Sequence, residues 1–137
     1  MAVVEELIRS EADGTISFGN HRLEKKAKVE DYQHAGDLLK VKTYKEITKL
    51  EKNGMFLYES VPGTSVLNFA EKEDGVEFIV EGDEDAQITI GLTDDRAYEV
   101  FVDGKSIGAI KTGFGGKLSL SVEIGAADEV PVKVVEI

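Results

Sequence analysis

The residues best suited to bind a metal ion lie in the acidic segment EGDEDAQ, residues 81–87. Glu81, Asp83 and Asp85 offer the hard carboxylate oxygens that Ca²⁺ prefers. Their spacing differs from that of an EF-hand loop, which needs a glycine at its sixth position and a glutamate at its twelfth. The sequence leaves two interpretations open: a calcium site at Glu81, Asp83 and Asp85, or an acidic turn of an acidic protein.

Catalytic chemistry has no recognisable motif in the chain. His21 and His34 could act as bases or metal ligands, but no nucleophile stands at a diagnostic spacing from either. The run GFGG, residues 113–116, resembles a phosphate-binding loop, yet an alternating segment follows it where such a loop leads into a helix. We therefore interpret it as a hairpin turn. The pair of carboxylates that glycoside hydrolysis needs cannot be singled out among 27 acidic residues. We predict no catalytic residue and a protein that is not an enzyme.

Exposed aromatic rings are what a carbohydrate-binding sheet would need. The sequence has no Trp, so tyrosines and phenylalanines are the candidates. We expect Tyr44 and Phe114 to be the exposed ones and predict them as ligand-binding residues. The alternative is that they pack in the core or at an interface.

The charge of the chain is strongly uneven. Residues 1–60 hold 10 Lys and Arg against 11 Asp and Glu, a net of −1, whereas residues 61–137 hold 6 against 16, a net of −10. Such a field disfavours nucleic acid and anionic membranes as partners. The basic run Arg22, Lys25, Lys26 and Lys28 is a predicted interface for the acidic half of a second copy. The alternative is that acidic charge simply keeps the protein soluble.

The segments that position these residues have the sequence pattern of β-strands. Apolar residues alternate with polar ones in the segments VEFIVEG (76–82), AQITIGL (86–92) and KLSLSVEI (117–124). Asn53-Gly54 and Asp103-Gly104 are strong hairpin signals. Strands at a spacing of roughly ten residues, separated by turns, predict an all-β antiparallel sandwich. We expect an immunoglobulin-like or fibronectin-like sandwich over residues 61–137. Residues 1–60 would form N-terminal β-hairpins, either as a smaller unit or as part of the same domain.

Three further predictions concern local structure. The segment 21–36 fits either a short helix or a strand with a polar excursion. Residues 37–52 read as strand with a change of face near Lys45, which indicates a bend or bulge. Pro131 lacks a backbone donor, so the last strand should be a sheet edge at its start.

Length and composition fit one globular domain of ordinary size, or two very small ones. The chain has no Cys, which excludes disulfides and thiolate metal sites. The N-terminal residues lack the features of a signal peptide, and no apolar run is long enough to cross a membrane. The default expectation is a cytoplasmic protein, with non-classical export or surface display left open.

Three motifs in the C-terminal part carry a family resemblance. They are Tyr-x-Val-x-Val-Asp-Gly at 98–104, Thr-x-x-Gly-Gly at 112–116 and Leu-Ser-x-Ser-Val at 118–122. Together with the upstream segment 12–64, they resemble a family of small acidic proteins of anaerobic gut bacteria, some of which are labelled endosialidase. The label implies hydrolysis of polysialic acid, but no catalytic residue can be placed through it.

Three functions follow as expectations. The first is a non-catalytic structural or assembly protein, which would associate with further copies of itself. The second is a carbohydrate-binding or accessory module with a glycan partner. The third is a glycoside hydrolase of the endosialidase type. No cofactor is predicted apart from the calcium ion considered above.

Overall fold

The computed structural model describes residues 3–125 and 129–137, and strands account for most of them. In chain order the thirteen strands within these described residues are β1 (Ile8–Ser10), β2 (Ile16–Phe18), β3 (Ala27–His34), β4 (Asp37–Tyr44), β5 (Ile47–Lys52), β6 (Met55–Val61), β7 (Ser65–Lys72), β8 (Gly75–Glu81), β9 (Ala86–Gly91), β10 (Ala97–Val102), β11 (Lys105–Lys111), β12 (Lys117–Val122) and β13 (Val130–Glu136).

These strands form two antiparallel sheets that pack against each other. The seven-stranded sheet has the order β1-β2-β7-β8-β13-β10-β11, and the six-stranded sheet has the order β12-β9-β6-β5-β4-β3. The predicted all-β antiparallel sandwich is confirmed. The described residues include no helix that is long and apolar enough to span a bilayer.

Each sheet combines strands from both halves of the sequence. β2 pairs with β7 in the seven-stranded sheet, and β6 pairs with β9 in the six-stranded sheet. The chain on either side of residue 60 therefore contributes to the same two sheets and to one core between them.

The core consists of the inward residues of both sheets. Its centre is a group of four aromatic rings from Phe18, Tyr58, Phe69 and Phe78, of which Phe18 and Tyr58 meet edge to face at 5.3 Å. Aliphatic side chains extend it in both directions, because alternate residues of each strand point between the sheets. The buried aliphatic set includes Val41, Leu50, Val66, Val80, Ile88, Ile90, Val100, Leu118, Leu120, Val122, Val132 and Val134.

Two predicted hairpins are present. Asn53 and Gly54 have φ angles of 52° and 79°, and Asp103 and Gly104 have φ angles of 53° and 81°. Positive φ at both central residues is what a two-residue hairpin turn of this type requires. The turns join β5 to β6 and β10 to β11.

Four local predictions need refinement or correction. The segment 21–36 contains the strand β3 from Ala27 rather than a helix. The change of face near Lys45 is a hairpin turn between β4 and β5, not a bulge. The GFGG run does not close a hairpin, since β11 and β12 on either side of it belong to different sheets.

The prediction that the last strand is a sheet edge at its start holds for Val130 and Pro131, which pair with β8 alone, whereas from Val132 onward β13 lies between β8 and β10. The carbonyl of Pro131 accepts the N–H of Asp103 at 2.8 Å. Both backbone groups of a strand residue point to the same side. The missing donor of Pro131 therefore lies beyond the end of β10 and interrupts no hydrogen bond to β8.

Candidate functional site

The sandwich has two ends, which we name after a loop at each. The 62–64 end also contains the loops 19–26 and 82–85, because β2, β6 and β8 finish there. The 92–96 end also contains the loop 112–116 and the Asn53-Gly54 turn. Most of the sequence-predicted site residues lie at the 62–64 end.

The predicted calcium ligands do not converge. Glu81 is the last residue of β8 and is buried. Asp83 lies 3.5 Å from the guanidinium of Arg22, and Asp85 accepts the backbone N–H of Ile124 at 3.0 Å. Within residues 3–125 and 129–137, no group of three or more His, Cys, Asp or Glu side chains is placed to hold a metal ion.

His21 is the most unusual titratable group at this end. Its side chain is buried, its Nδ1 is 2.8 Å from the Oγ of Ser65, and its Nε2 is 3.7 Å from a carboxylate oxygen of Asp83. Burial disfavours the charged imidazolium and lowers the pKa of His21, while the Asp83 carboxylate acts in the opposite direction. The Nε2 atom has no hydrogen-bond partner among the described residues.

Ser65, His21 and Asp83 have the residue types of a hydrolytic triad, and no motif in the sequence indicates that they converge. His21 and Ser65 are 44 residues apart and belong to no shared motif. A nucleophile must reach its substrate, but Ser65 is fully buried. In this conformation the three residues can stabilise the fold, and they offer no attacking group.

A buried hydroxyl network fixes the loop 62–64. The Oγ1 of Thr64 lies 2.8 Å from the Tyr58 hydroxyl and 2.7 Å from the Ser60 Oγ. The Oγ1 of Thr48 donates to the carbonyl of Thr64 at 2.7 Å and accepts its N–H at 3.1 Å. Burial raises the pKa of Tyr58, so its hydroxyl stays protonated. Gly63 has no room for a side chain, because a Cβ would lie 2.0 Å from the carbonyl oxygen of Tyr44.

The two predicted ligand-binding aromatics lie at opposite ends of the molecule. Tyr44 ends β4 at the 62–64 end and is half-buried, with the Nζ of Lys26 5.7 Å from its ring centroid. Phe114 lies in the loop 112–116 at the 92–96 end and is fully exposed. The structure therefore does not combine Tyr44 and Phe114 into one binding face.

The predicted basic interface is largely engaged within the chain. Arg22 contacts Asp83, and the Nζ of Lys28 is 3.1 Å from a carboxylate oxygen of Glu30. Lys26 lies over Tyr44, as described above, whereas Lys25 is exposed. These contacts reduce the positive charge that the run offers to a second copy.

A groove of about 790 Å³ crosses the outer face of the seven-stranded sheet, and we call it the sheet-face groove. Its floor is apolar, with Ala70, Ile79 and Phe101 from three strands. Asn68 and Lys133 are among the polar residues that line it. Sequence reasoning missed this surface, because the groove exists only once β13 lies between β8 and β10.

The two sides of the sandwich differ in how they are closed. On the β1/β3 side, the Oγ of Ser10 lies 3.0 Å from the Tyr32 hydroxyl and 2.8 Å from the Nδ1 of His34. The Nε2 of His34 donates to the carbonyl of Gly14 at 3.0 Å, so in the neutral imidazole Nδ1 accepts from Ser10. These bonds join the edges of the two sheets.

The β11/β12 side is open. A groove of about 620 Å³ runs between the edges of the two sheets, and we call it the edge groove. Ile107 of β11 lines it from one side, and Ser121 and Glu123 line it from the other. Ile107 is 51% exposed, which leaves an apolar residue beside two strand edges.

No protein-family model matches the chain, and comparison with curated proteins and with solved structures gave no match either. The resemblance to proteins labelled endosialidase stays a prediction.

Proposed function

We propose that the protein is a non-catalytic structural module that associates with further copies of itself through a sheet edge. One observation carries this proposal: β12 ends the six-stranded sheet as a regular six-residue strand on the open side of the sandwich. An uninterrupted edge strand presents unpaired backbone groups to another strand. The buried position of Ser65 supports the non-catalytic part of the proposal.

Solution mass tests self-association directly. The experiment is light scattering after size exclusion over a range of protein concentrations, at low and high salt, with Ca²⁺ and with a chelator. We expect a dimer or larger species that persists when calcium is removed, because the proposed contact is made by backbone groups. A monomer at the highest concentration under all four conditions would refute the proposal.

A second function, glycan binding, is favoured by the sheet-face groove. Its combination of the Phe101 ring with the polar side chains of Asn68 and Lys133 is typical of surfaces that bind sugars. The test is calorimetric titration with a panel of oligosaccharides that includes polysialic acid. The variants are Phe101→Ala, and Phe114→Ala as a matched control away from the groove. Binding that is lost only with Phe101→Ala supports this function. No measurable binding to any oligosaccharide of the panel refutes it. Release of sialic acid during the titration would instead indicate a hydrolase.

A further inference from the structure

The four edge strands of the sandwich differ in how they resist pairing with another chain. β1 has only three residues. β3 has an irregularity between Val29 and Tyr32, and β11 is interrupted opposite Val100 and Phe101. Short edges and bulges are the common means by which proteins block edge-to-edge association.

β12 has none of these protections. It pairs with β9 over six consecutive residues without a shift in register. It has no proline, and its inward side chains, Leu118, Leu120 and Val122, are all apolar and buried. An edge of this kind is the one best suited to receive another strand.

The hydrogen-bond phase shows which backbone groups of β12 point outward. The N–H of Leu92 donates to the carbonyl of Gly116 at 2.8 Å, which makes these two residues a hydrogen-bonded pair. Hydrogen-bonded pairs alternate along an antiparallel ladder. The backbone groups of Leu118, Leu120 and Val122 therefore face β9. Those of Lys117, Ser119, Ser121 and Glu123 face away from the sheet.

We propose that two copies of this chain join β12 to β12 in antiparallel fashion about a two-fold axis at Leu120. This inference rests on the proposed self-association and names its contact. Ser119 of one copy then pairs with Ser121 of the other, and Lys117 pairs with Glu123 at both ends. All four are positions whose backbone groups point outward, so every hydrogen bond of the new ladder has a partner.

Charge selects this register over its neighbours. A shift by two residues in one direction places Lys117 opposite Ser121, and a shift in the other places Glu123 opposite Ser119. Both shifts lose the opposite-charge pairs, which favour antiparallel pairing when they stand directly across from each other. The rest of the contact is uncharged, which matters for a chain of net charge −11.

The side chains on the outer face of β12 are engaged within their own sheet. The Oγ of Ser119 lies 2.9 Å from the Oγ1 of Thr89, and the Oγ of Ser121 donates to Gln87 at 2.7 Å. These small side chains stay on the outer face and do not cover the edge. Lys117 also lies on its own sheet, with Nζ 4.6 Å from the Phe56 ring centroid. A two-fold axis perpendicular to the sheet keeps both seven-stranded sheets on the same side, so the two edge grooves meet at the join.

Charge reversal tests the register. We expect Lys117→Glu and Glu123→Lys each to weaken the dimer roughly tenfold or more, since each variant creates two like-charge pairs. An equimolar mixture of the two variants restores both opposite-charge pairs and should dimerise about as tightly as the wild type. Sedimentation velocity over a concentration series measures all three. Lys25→Glu makes the same change of net charge in the basic run and should leave the dimer unchanged.

Backbone blocking and cross-linking give independent readouts. Ser119→Pro removes an outward N–H without breaking a bond to β9, so it should abolish dimerisation in a folded protein, while Ser119→Ala should not. The chain has no Cys. A mixture of Ser119→Cys and Ser121→Cys should therefore cross-link under oxidation faster than either variant alone.

The outcomes separate the two proposals. A wild-type dimer that none of the β12 variants weakens would overturn β12 pairing and leave self-association standing. Loss of the dimer with Lys25→Glu instead of Lys117→Glu would assign the contact to the basic run. A wild-type monomer at every concentration would overturn both proposals. Recovery in the Lys117→Glu and Glu123→Lys mixture supports the β12 register even if Ser119→Pro fails to fold.

Discussion

The Nδ1 of His21 and the Oγ of Ser65 are joined by a 2.8 Å hydrogen bond in which both side chains are buried. The bond links the loop that follows β2 to the first residue of β7. The imidazole is held in surroundings that disfavour its charged form, although the carboxylate of Asp83 lies 3.7 Å away. Glu81 also favours the charged form, and Arg22 opposes it. The pKa of His21 is the net result of these effects, and burial is the largest of them.

Acidification should therefore weaken the fold through His21. Its pKa is lowered in the folded state from an ordinary value of 6.5. Below that pH the unfolded chain takes up a proton that the folded chain resists, and the free energy of unfolding falls. We expect the free energy of unfolding, measured with urea, to fall as the pH is lowered from roughly 7.5 to 5.5. Carboxyl groups with lowered pKa values, such as Glu11, add their own losses only at lower pH.

Two substitutions identify the group that causes this pH dependence. His21→Gln should flatten the slope between roughly pH 7.5 and 5.5, whatever its effect on stability at neutral pH. His34→Gln is the matched control, since His34 is only half-buried and is bonded to Ser10 and Gly14 at the other side of the sandwich. An unchanged slope in His21→Gln would show that another group titrates.

Removal of the Thr64 hydroxyl should destabilise the protein. Thr64→Val keeps the shape of the side chain and leaves the buried hydroxyls of Tyr58 and Ser60 without this partner. An unsatisfied buried polar group costs about 1–3 kcal/mol, and urea unfolding would measure the loss. Thr64→Ser retains the oxygen and should lose clearly less. Equal losses in the two variants would mean that the methyl group, not the hydroxyl, is what matters.

A methyl group at Gly63 should be poorly tolerated. Gly63→Ala places a carbon 2.0 Å from the carbonyl of Tyr44, so one of two backbone segments must move. Crowding of this kind costs about 1–3 kcal/mol. Gly113→Ala is the control, because nothing lies within 4 Å of the added carbon. Thermal melts of both variants give the comparison, and similar midpoints would contradict the close approach.

The β1/β3 side should open when Ser10 is changed. Ser10→Ala removes the oxygen that bonds to both Tyr32 and His34, so we expect faster amide hydrogen exchange in β1 and β2. Ser119→Ala is the control, since its bond to Thr89 lies within one sheet. Equal exchange in the wild type and Ser10→Ala would show that the hydrogen bonds do not hold this side closed.

Local signals predicted local structure well. Asn53-Gly54 and Asp103-Gly104 form the expected turns, since Asn, Asp and Gly tolerate the positive φ that such turns require. The alternation in KLSLSVEI predicted which face of β12 is buried, because that periodicity follows from strand geometry. The immunoglobulin-like or fibronectin-like assignment of residues 61–137 stays a prediction.

Non-local relationships were beyond the sequence signals. Nothing near Pro131 indicates that most of β13 will lie between β8 and β10, since that depends on strands distant in the chain. The contact between His21 and Ser65 likewise arises only once β2 has paired with β7. The candidate edge depended on both kinds of information. Periodicity identified β12 as a strand, and only the sheet order showed that it is an edge strand of the six-stranded sheet.

The central place of β13 also bears on how the chain folds during synthesis. A nascent chain that has emerged only as far as residue 125 already contains β8 and β10. In the complete sheet, β13 lies between these two strands and pairs with both. Until residues 130–136 arrive, the seven-stranded sheet consists of two parts, each with an exposed inner edge. Such edges invite aggregation, and long-range pairing of this kind slows folding. We therefore expect ribosome-bound chains that stop before β13 to bind chaperones, and those that include it to be released.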